Sequence, residues 1–465
     1  MVGCQYRHTL CGPPSAALST VDASSSLKLQ FRRQGPAISE GISNGNHRGP
    51  HSPRNRHCGS GPGPDSSAGR SAADAQEAPM IAAGRADVAV VGGGPAGAVT
   101  ALLLARAGRD VVLYEQSHDD ALRLGETLPP SVNPLLCKLG LWERFGALQS
   151  TTSYQTTASA WGAAEPSDRS FILCPYGHGW HVDRARFDAM LVDAAEQAGA
   201  RVLRAARVGK ISRADAGLRV EAAEPASAAT VVDATGRTAR VARALGANRV
   251  QLDRLVCAAR VFAIGSEPPG DTFIEAAPDG WWYASPLPDQ RRIIALFTDA
   301  HEVLRSRLAT VGGWTDALAR TEHVGDLACG VPCGKIRVTT SASHELEPAV
   351  GDDWIAVGDA AFAVDPLSSG GVDFALRSAS AAADVLLGGD RSAYQKQITD
   401  EANEYRRLRA EIYGWEHRFA NAAFWSARRL SADQHFASRA ATSRAVGIDG
   451  AAPSRSTEQD AAALA

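Results

Sequence analysis

The stretch ADVAVVGGGPAGAVTALLLARAGRDVVLYEQ, residues 86–116, predicts a strand, a tight turn, a helix and a second strand. The apolar run Val88–Val91 is typical of a parallel strand that is buried on both faces. The pattern G-x-G-x-x-G follows and is formed by Gly92, Gly94 and Gly97. The first glycine permits the turn, the second lets the backbone approach a pyrophosphate, and the third lets the helix pack closely on the strand. The stretch therefore predicts a dinucleotide-binding unit.

The second strand of this unit ends in an acidic residue. The apolar run Val111–Tyr114 predicts the strand, and Glu115 follows it directly. A carboxylate at this place is expected to accept hydrogen bonds from ribose hydroxyls. Ala96 lies inside the glycine-rich turn and is expected to contact the same cofactor. The consecutive glycines, Pro95 and Arg106 argue against a membrane-spanning helix in this stretch.

The composition of the chain limits the classes to which the protein can belong. Its length of 465 residues is greater than one ordinary hydrophobic core accommodates, so two domains are predicted. The formal net charge is −3, so the charge balance favours neither nucleic acid nor an anionic membrane as a partner. The eight cysteines form no C-x-x-C pair and no spacing that predicts a metal site. Reduced thiols are expected, which predicts a cytoplasmic protein.

The first 79 residues differ in composition from the rest of the chain. They are rich in serine, glycine and proline, and their only aromatic side chains are Tyr6 and Phe31. Such a segment cannot bury enough apolar surface to offset the entropy lost on ordering. Residues 1–79 are therefore predicted to be a disordered or mis-assigned extension, because the sequence from Met80 reads as a natural start. A transit peptide is the alternative, and residues 446–465 are predicted to be a disordered tail.

Two later segments favour FAD over NAD as the dinucleotide. TVVDATGRTARVAR (230–243) predicts an apolar strand that ends in Asp-Ala-Thr-Gly. DWIAVGDAAFAVDPLSSGGVDFAL (353–376) predicts a strand that ends in Gly-Asp, followed by Asp-Pro, two glycines and a helix. With these segments the chain resembles the flavin-dependent monooxygenase and tryptophan halogenase superfamily, whose fold is related to that of p-hydroxybenzoate hydroxylase. The resemblance implies an α/β fold with a Rossmann-type FAD-binding domain, an antiparallel-sheet substrate domain and C-terminal helices.

The resemblance also implies further cofactor-binding residues. Asp359 is expected to bind the ribityl chain of the flavin, and Gly370 and Gly371 are expected to lie against the isoalloxazine ring. The chemistry agrees, because a carboxylate accepts from sugar-like hydroxyls and glycines let the main chain approach a flat ring. The loop RLGETLPP begins at Arg123, and the segment GWHVDRARFD contains Arg184. Both arginines are expected to bind the cofactor, with Arg184 near the FAD phosphates.

The resemblance divides the chain into alternating segments. The predicted boundaries are 80–150, 179–249 and 341–390 for the FAD-binding domain, 151–178 and 250–340 for the substrate domain, and 391–445 for the C-terminal helices. Residues 401–430 have a helical pattern, with Tyr405, Leu408, Ile412 and Trp415 on one face. No second glycine-rich fingerprint predicts a separate nicotinamide domain. Electrons are therefore expected from transiently bound NAD(P)H or from a partner flavin reductase.

The stretch DGWWYASPLPD (279–289) places Trp281, Trp282 and Tyr283 in succession. Alternation along a strand puts Trp281 and Tyr283 on one face and Trp282 on the other. Trp281 and Tyr283 are expected to line the substrate pocket, and plain core packing of all three is the alternative. Tryptophan halogenases have a Trp-x-Trp-x-Ile-Pro motif here. Only its first and last positions match, at Trp281 and Pro286.

Other positions also depart from the halogenase pattern. Halogenases use a lysine, some distance after the Gly-Glu loop, to carry or activate hypohalous acid. The best match in this chain is Gln155, whose amide cannot do this, and no lysine lies between Lys138 and Lys210. Ser368 occupies the position of a halogenase glutamate. These departures favour oxygenation over halogenation, and Gln155 is expected in the substrate pocket.

Among the non-halogenating members, the chain most resembles flavoproteins that mature amino-acid oxidases and quinoprotein amine dehydrogenases. The resemblance implies an FAD-dependent monooxygenase that uses O₂ and a flavin C4a-hydroperoxide to hydroxylate an indole-like ring. The substrate is either an aromatic small molecule or a tryptophan side chain of a partner protein. No acid–base pair is evident, and His178 and His181 are expected to be structural. A flavin-dependent halogenase and an FAD-dependent C=C reductase remain the alternatives.

Overall fold

A strand–helix–strand unit begins the described part of the chain, and runs of consecutive strands follow it. The structure is a computed structural model and describes residues 84–117, 125–214, 217–265 and 271–429. The strands are β1 (Gly84–Val91), β2 (Val111–Tyr114), β3 (Thr127–Leu128), β4 (Thr151–Tyr154), β5 (Thr156–Ala160), β6 (Ser167–Ser170), β7 (Gly179–Val182), β8 (Arg201–Leu203), β9 (Ile211–Ala214), β10 (Gly217–Val220), β11 (Ala226–Asp233), β12 (Asn248–Gln251), β13 (Leu255–Ala263), β14 (Thr272–Ala277), β15 (Gly280–Leu287), β16 (Arg291–Asp299), β17 (Val331–Thr340), β18 (His344–Glu347), β19 (Trp354–Ala356) and β20 (Phe362–Ala363).

The helices connect these strands and close the C-terminal side of the described chain. They are α1 (Pro95–Arg106), α2 (Val132–Lys138), α3 (Trp142–Gly146), α4 (Arg184–Gln197), α5 (Arg240–Ala244), α6 (Ala300–Arg305), α7 (Val311–Leu318), α8 (Val324–Leu327), α9 (Gly371–Leu386) and α10 (Arg391–Trp415). Short 3₁₀ turns lie at Gly236–Thr238, Gly358–Ala360 and Pro366–Ser368. Residues 423–429 are also helical.

The first sheet is the predicted Rossmann-type sheet. β1 pairs in parallel with β2 and β11, β2 pairs in parallel with β8, and β19 pairs in parallel with the C-terminal half of β11. β10 and β9 extend the N-terminal half of β11 in antiparallel fashion. Ala89 and Val90 are both fully buried, so both faces of β1 are covered, which accounts for its continuous apolar run. Helix α1 packs against β1 and β2 and against α4 and α9.

The second sheet corresponds to the predicted substrate domain. Its order is β17-β13-β16-β15-β14-β5-β6, and the pairs are antiparallel except β5 with β14, which is parallel. Trp281 packs in the apolar cluster on one face, together with α10 and the 423–429 helix, and Tyr283 packs against that cluster. Trp282 packs on the opposite face against Trp314 of α7. The predicted alternation of this aromatic stretch is confirmed.

Two small sheets complete the structure. β12, β18 and β20 form one of them, and β3, β7 and β4 form the other. All described residues belong to one compact unit, so the predicted boundaries between 80 and 429 remain predictions. Residues 1–79 and 430–465 lie outside the described ranges. Within those ranges, none of the helices combines the length and the hydrophobicity needed to span a lipid bilayer.

The C-terminal helical segment is interrupted once. Residues 401–430 have a helical pattern, whereas α10 ends at Trp415 and helix resumes at residue 423. Glu416 is fully buried with an extended ψ of 107°. Its carboxylate accepts hydrogen bonds from the backbone N–H of Gly162 at 2.8 Å and of Arg418 at 2.8 Å. The bond to Gly162 is a tertiary contact, and together with the local bond to Arg418 it ends the helix at a residue whose helix propensity is otherwise good.

Helix α10 is attached to the loop before β13 and to the Asp-Pro loop through a buried arginine. The Nη2 of Arg409 lies 3.1 Å from the Oδ2 of Asp253, and its Nε lies 3.7 Å from the Oδ2 of Asp365. All three side chains are largely buried, and the guanidinium also lies over the ring of Tyr413, 5.1 Å from its centroid. The pairing neutralises charges that the interior would otherwise destabilise.

Loss of Arg409 is expected to destabilise the fold far more than loss of its neighbour Arg407. Arg409→Ala leaves two buried carboxylates without their cation and should lower the free energy of unfolding by about 3–5 kcal/mol. Arg407 is exposed and pairs with Glu404 on the helix surface, so Arg407→Ala should cost less than about 1 kcal/mol. Urea unfolding followed by circular dichroism measures both. Equal losses of unfolding free energy in the two variants would show that the buried ion pairs of Arg409 add no stability.

Candidate active site

The glycine-rich turn between β1 and α1 has the backbone that its pattern predicts. Gly92 has a φ of +111°, and a Cβ there would lie 2.1 Å from the carbonyl oxygen of Ala234. A Cβ on Gly97 would lie 1.9 Å from the carbonyl oxygen of Gly92. Both positions therefore exclude a side chain. No atom lies within 4 Å of the place of a Cβ on Gly94, which lines a cavity at the N-terminus of α1.

This cavity connects the two large sheets. Its volume is about 870 Å³, and residues from the β1–α1 turn, from β13, β15, β16 and β17, and from α9 line it. Its charged wall residues are Glu126, Arg184, Asp188, Arg237, Arg337 and Asp359. Its apolar side on the second sheet consists of Cys257, Trp281, Ile293, Ala295 and Phe297. Ala96 also lines it. One end of the cavity is thus polar, and the other is aromatic.

Asp359 lies on the polar wall in the position where the resemblance expects a ligand of the ribityl chain. It forms an ion pair with Arg237, with 3.3 Å between Oδ2 and Nε. Arg237 is held in turn by the carbonyl oxygens of Ala342 and Val364, each at 2.7 Å. The carboxylate of Asp359 is about one-third exposed and has lone pairs left for hydroxyl donors. Its contact with a flavin remains a prediction.

Arg184 begins α4 and lies on the cavity wall. Its Nη1 donates to the carbonyl oxygen of Gly125 at 3.1 Å, and its Nε contacts the Oδ1 of Asp188 at 3.1 Å. The arginine therefore joins the Gly-Glu-Thr loop to α4. Arg123, the other predicted arginine, lies outside the described residues.

The remaining predicted cofactor residues lie close to the cavity or beside it. Gly371 lines the cavity, and Gly370 lines a separate void of about 40 Å³ beneath the Asp-Pro loop. Glu115 is buried behind the glycine turn. Its carboxylate accepts hydrogen bonds from the N–H of Gly93 and of Ser117, each at 2.6 Å.

The structure corrects the expectation for Gln155. Its side chain is exposed between β4 and β5 and does not line the cavity. The reason lies in the strand pairing, because Gln155 is at the point where the chain leaves the small β3-β7-β4 sheet and enters the large one. Sequence spacing from the Gly-Glu loop cannot locate such a crossover. Among the described residues that line the cavity, none is a lysine.

The aromatic end is anchored by hydrogen bonds. The rings of Trp281 and Phe297 stack with centroids 4.0 Å apart. The indole Nε1 of Trp281 donates to the hydroxyl of Tyr413 at 3.1 Å, and that hydroxyl donates to the Oδ2 of Asp365 at 2.6 Å. The orientation of the cavity wall is therefore set from helix α10 and from the Asp-Pro loop.

A carboxylate and a phenol meet inside the same cavity. The hydroxyl of Tyr283 donates to the Oε1 of Glu126 at 2.7 Å, and the hydroxyl of Thr127 lies 2.7 Å from the Tyr283 oxygen. Glu126 is only 3% exposed. Burial and the adjacent Glu126 carboxylate raise the pKa of Tyr283 well above its ordinary value. The phenol therefore stays protonated and donates its hydrogen bond to the Oε1 of Glu126.

His181 lies behind this pair. Its Nδ1 is 3.2 Å from the hydroxyls of both Thr127 and Ser285, and its ring stacks on Tyr154 with centroids 4.5 Å apart. Burial lowers the pKa of His181 to about 3, so the imidazole is neutral at physiological pH. The absence of His181 from the cavity lining agrees with the structural role expected for it.

The sequence did not identify several residues of this site. The pattern of residues 123–130 places Glu126 in the Gly-Glu-Thr loop without a role, and no pattern marks Tyr413, Asp365 or Arg237 as site residues. A usable signal existed for Glu126, because an acid that is followed by the apolar and proline residues of this loop requires a partner when it is buried. Tyr413 gave no such signal, because its distance in sequence from Trp281 hides the contact.

The cavity fits a flavin dinucleotide. Gly94 leaves the helix N-terminus open to a pyrophosphate, as anion binding at a helix start requires. Asp359 supplies a carboxylate to hydroxyl groups, and Gly371 lines the cavity without a side chain. The volume and the combination of one polar and one aromatic end suit a flavin beside an aromatic substrate.

Comparison with known proteins decides the family. A family model described as an FAD binding domain matches residues 85–412, which is more than half of the chain. The chain belongs to this FAD-binding family. The flavoprotein is 31% identical over 370 residues to LodB of Marinomonas mediterranea, which is named an FAD-dependent oxidoreductase. That match covers 75% of this chain and 98% of LodB. The flavoprotein is therefore an FAD-dependent oxidoreductase, as the sequence predicts.

Two solved structures show the same fold. The myxobacterial chondrochloren halogenase CndH is 25% identical with a TM-score of 0.65, over 78% of this chain and 90% of CndH. The peptidyl tryptophan dihydroxylase QhpG, essential for tryptophylquinone cofactor biogenesis, is 27% identical with a TM-score of 0.61. That alignment covers 74% of this chain and 79% of QhpG. The fold of the flavoprotein thus occurs both in a halogenase and in a dihydroxylase.

Two glycines of the turn should respond differently to alanine. Gly97→Ala places a Cβ against backbone and should lower the free energy of unfolding by about 1–3 kcal/mol. The Cβ of Gly94→Ala has no neighbouring atom within 4 Å, so this substitution should lower the free energy of unfolding by less than about 1 kcal/mol. Its methyl group blocks the approach of FAD, however, and should weaken FAD binding roughly tenfold or more. Urea unfolding without FAD and titration of flavin fluorescence separate the two effects. Unchanged FAD affinity in Gly94→Ala would refute this role of the turn.

Burial of His181 should make the fold sensitive to acid. An unfolded histidine takes up a proton near pH 6.5, whereas folded His181 does not until about pH 3. Acid therefore favours the unfolded chain, and this one residue should lower the free energy of unfolding by about 2–3 kcal/mol between about pH 6.5 and pH 4.5. His181→Gln should show a shallower dependence on pH over that window. His417→Gln is the control, because His417 is exposed, and its free energy of unfolding should depend on pH as that of the wild type does. The same dependence on pH in all three proteins would contradict the role of His181.

Proposed function

We propose that this flavoprotein is a monooxygenase that hydroxylates an electron-rich aromatic ring, and that its substrate is a tryptophan side chain of a partner protein. The observation that supports the proposal most directly is the composition of the cavity. Stacked aromatic walls face a buried carboxylate, Glu126, and no lysine is among the described residues that line the space. The proposal uses O₂ as the oxidant and NAD(P)H, or a flavin reductase, as the source of electrons.

The aromatic end suits a flat substrate ring. Trp281 and Phe297 form a stacked pair, and a third ring can pack beside them in offset or edge-to-face geometry. Cys257 and Ile293 add apolar surface and keep water away from the reacting carbon. An indole would therefore be held by apolar contact, with the polar end of the cavity left for the cofactor.

Glu126 and Tyr283 supply the proton chemistry in this proposal. When bound and reduced, FAD supplies the two electrons that activate O₂; one oxygen atom enters the substrate and the other leaves as water. The ring carbon that gains oxygen must lose its hydrogen as a proton to regain aromaticity. The Oε1 of Glu126 accepts this proton, and the hydroxyl of Tyr283 holds the carboxylate toward the cavity at 2.7 Å. No lysine ammonium is required for this step.

Similarity to QhpG supports a protein substrate, because that enzyme is named a peptidyl tryptophan dihydroxylase. Similarity to CndH supports the competing reaction, halogenation. The lining of the cavity favours oxygenation, since the ammonium group that halogenases use is missing from its described residues.

The reaction is tested with the FAD-loaded full chain, NAD(P)H and a flavin reductase under ¹⁸O₂. Substrates are a tryptophan-bearing peptide and free indoles, each with and without chloride and bromide. We expect the peptide to gain one or two ¹⁸O atoms, unaffected by removal of halide, and mass spectrometry detects them. Incorporation of chlorine or bromine would refute the oxygenase. Conversion of free indoles alone would refute the protein substrate.

Replacement of Glu126 tests the proton acceptor in the same assay. Glu126→Gln removes the basic oxygen but keeps the shape, and it should lower kcat by roughly a hundredfold. Glu275→Gln is the matched control, because Glu275 is equally buried but accepts hydrogen bonds from the N–H of Glu322 and Val324 on the opposite side of the sheet. Per bound FAD, its kcat should stay within roughly twofold. Similar losses in both variants would contradict the role of Glu126.

A further inference from the structure

Strand β17 is an edge strand with an exposed surface. It lies at one end of the large sheet and pairs only with β13 among the described strands. Nine of its ten residues are exposed, all but Ile336. A free edge presents unpaired backbone N–H and C=O groups to any extended chain that approaches it.

The two halves of β17 are protected to different degrees against the addition of another strand. The first half contains Pro332 and Gly334, and its register with β13 shifts between Ala259 and Val261. Prolines and irregular pairing of this kind discourage the addition of another strand. The second half, from Arg337 to Thr340, pairs regularly with β13 and has no such protection.

The register shows which backbone groups of the second half point outward. The N–H of Ser341 donates to the carbonyl of Leu255 at 2.9 Å, so these opposite residues form a hydrogen-bonded pair. Hydrogen-bonded and non-bonded pairs alternate along an antiparallel ladder. Thr340 and Val338 are therefore in non-bonded pairs with β13, and their N–H and C=O groups point to the free edge.

The same part of the chain borders the active-site cavity. Arg337, Val338, Thr339, Thr340 and Ser341 all line it. Because β17 is the last strand of the large sheet, the cavity reaches the edge of the sheet at these residues. A polypeptide paired with this edge would thus run along the mouth of the cavity.

The edge carries positive charge. Lys335 and Arg337 on β17 and Arg260 on the neighbouring β13 are its charged residues, and neither strand contains an acidic residue. Lys335 and Arg337 are exposed. Complementary charge favours an acidic partner and raises its rate of association.

From these observations we propose that the outer edge of β17 binds the substrate polypeptide by strand addition. An extended, acidic segment of the partner pairs with Val338 and Thr340 and directs one aromatic side chain into the cavity. This inference rests on the proposed function, because it specifies where the partner protein binds. Backbone pairing supplies the affinity in such complexes, and a pocket for one side chain supplies the specificity.

A proline at an outward-facing position tests strand addition without removing a bond of the native sheet. Val338→Pro deletes an N–H that β13 does not use, and proline is tolerated at such edge positions. The probe is a fluorescein-labelled acidic peptide with one central tryptophan, and fluorescence anisotropy measures its affinity for the FAD-loaded full chain. Val338→Pro should weaken binding roughly tenfold. Val338→Thr, which keeps the N–H, should bind within roughly twofold of the wild type. The free energy of unfolding of both variants shows whether the fold is retained.

Amide hydrogen exchange provides a second readout. The peptide should protect the N–H of Val338 and of Thr340, whereas a basic peptide of equal length should bind weakly and protect neither.

Equal affinity of Val338→Pro and Val338→Thr for the peptide would overturn the docking site. If the wild type oxygenates the peptide while its KM is the same in both variants, the docking site is refuted but the proposed function stands. If the wild type neither binds nor oxygenates the peptide, the protein substrate and the docking site are refuted together. A dimer of the full chain that Val338→Pro dissociates would show that a second copy occupies the edge, and this too would overturn the proposal.

Discussion

The buried carboxylate of Asp365 is the group on which the arrangement of the active site depends. It accepts hydrogen bonds from the hydroxyl of Tyr413 at 2.6 Å and from the backbone N–H of Leu367 at 3.0 Å, and it lies 3.7 Å from the guanidinium of Arg409. The hydroxyl oxygen of Tyr413 in turn accepts a hydrogen bond from the indole N–H of Trp281. One charge thus joins the Asp-Pro loop, helix α10 and the large sheet. A buried charge that loses its partners is strongly unfavourable, so the three elements must keep their relative positions.

This arrangement explains why one cavity can be polar at one end and aromatic at the other. The polar end is built from turns at the ends of parallel strands, where Gly94 and Asp359 lie. Such turns expose backbone groups and carboxylates, because the strands themselves end there. The aromatic end is the face of a sheet, where alternate side chains such as Trp281 and Tyr283 point the same way. Helix α10 supports the aromatic end from behind, since Tyr413 accepts a hydrogen bond from Trp281 and Arg409 pairs with Asp365 of the Asp-Pro loop.

Local rules predicted the parts of the structure that depend on neighbouring residues. The glycine pattern located the β1–α1 turn, because the turn needs a positive φ at Gly92 and the absence of a side chain on Gly97 beside the carbonyl oxygen of Gly92. The alternation of Trp281, Trp282 and Tyr283 followed from the pleat of a single strand. The same rules failed where a distant contact intervened. Glu416 ends α10 through a bond to Gly162, and Gln155 lies at a crossover between sheets, outside the cavity.

The sequence by itself therefore determined the dinucleotide-binding fold, the family and the character of the aromatic strand. These depend on short-range geometry, on backbone freedom at glycine and on hydrophobic periodicity, all of which can be read from adjacent letters. Only the tertiary structure decided which side chains meet. The pair of Glu126 and Tyr283, 157 residues apart, and the open edge of β17 beside the cavity result from strand order and helix packing. Those are set by burial of apolar surface over the entire chain, and no local pattern contains them.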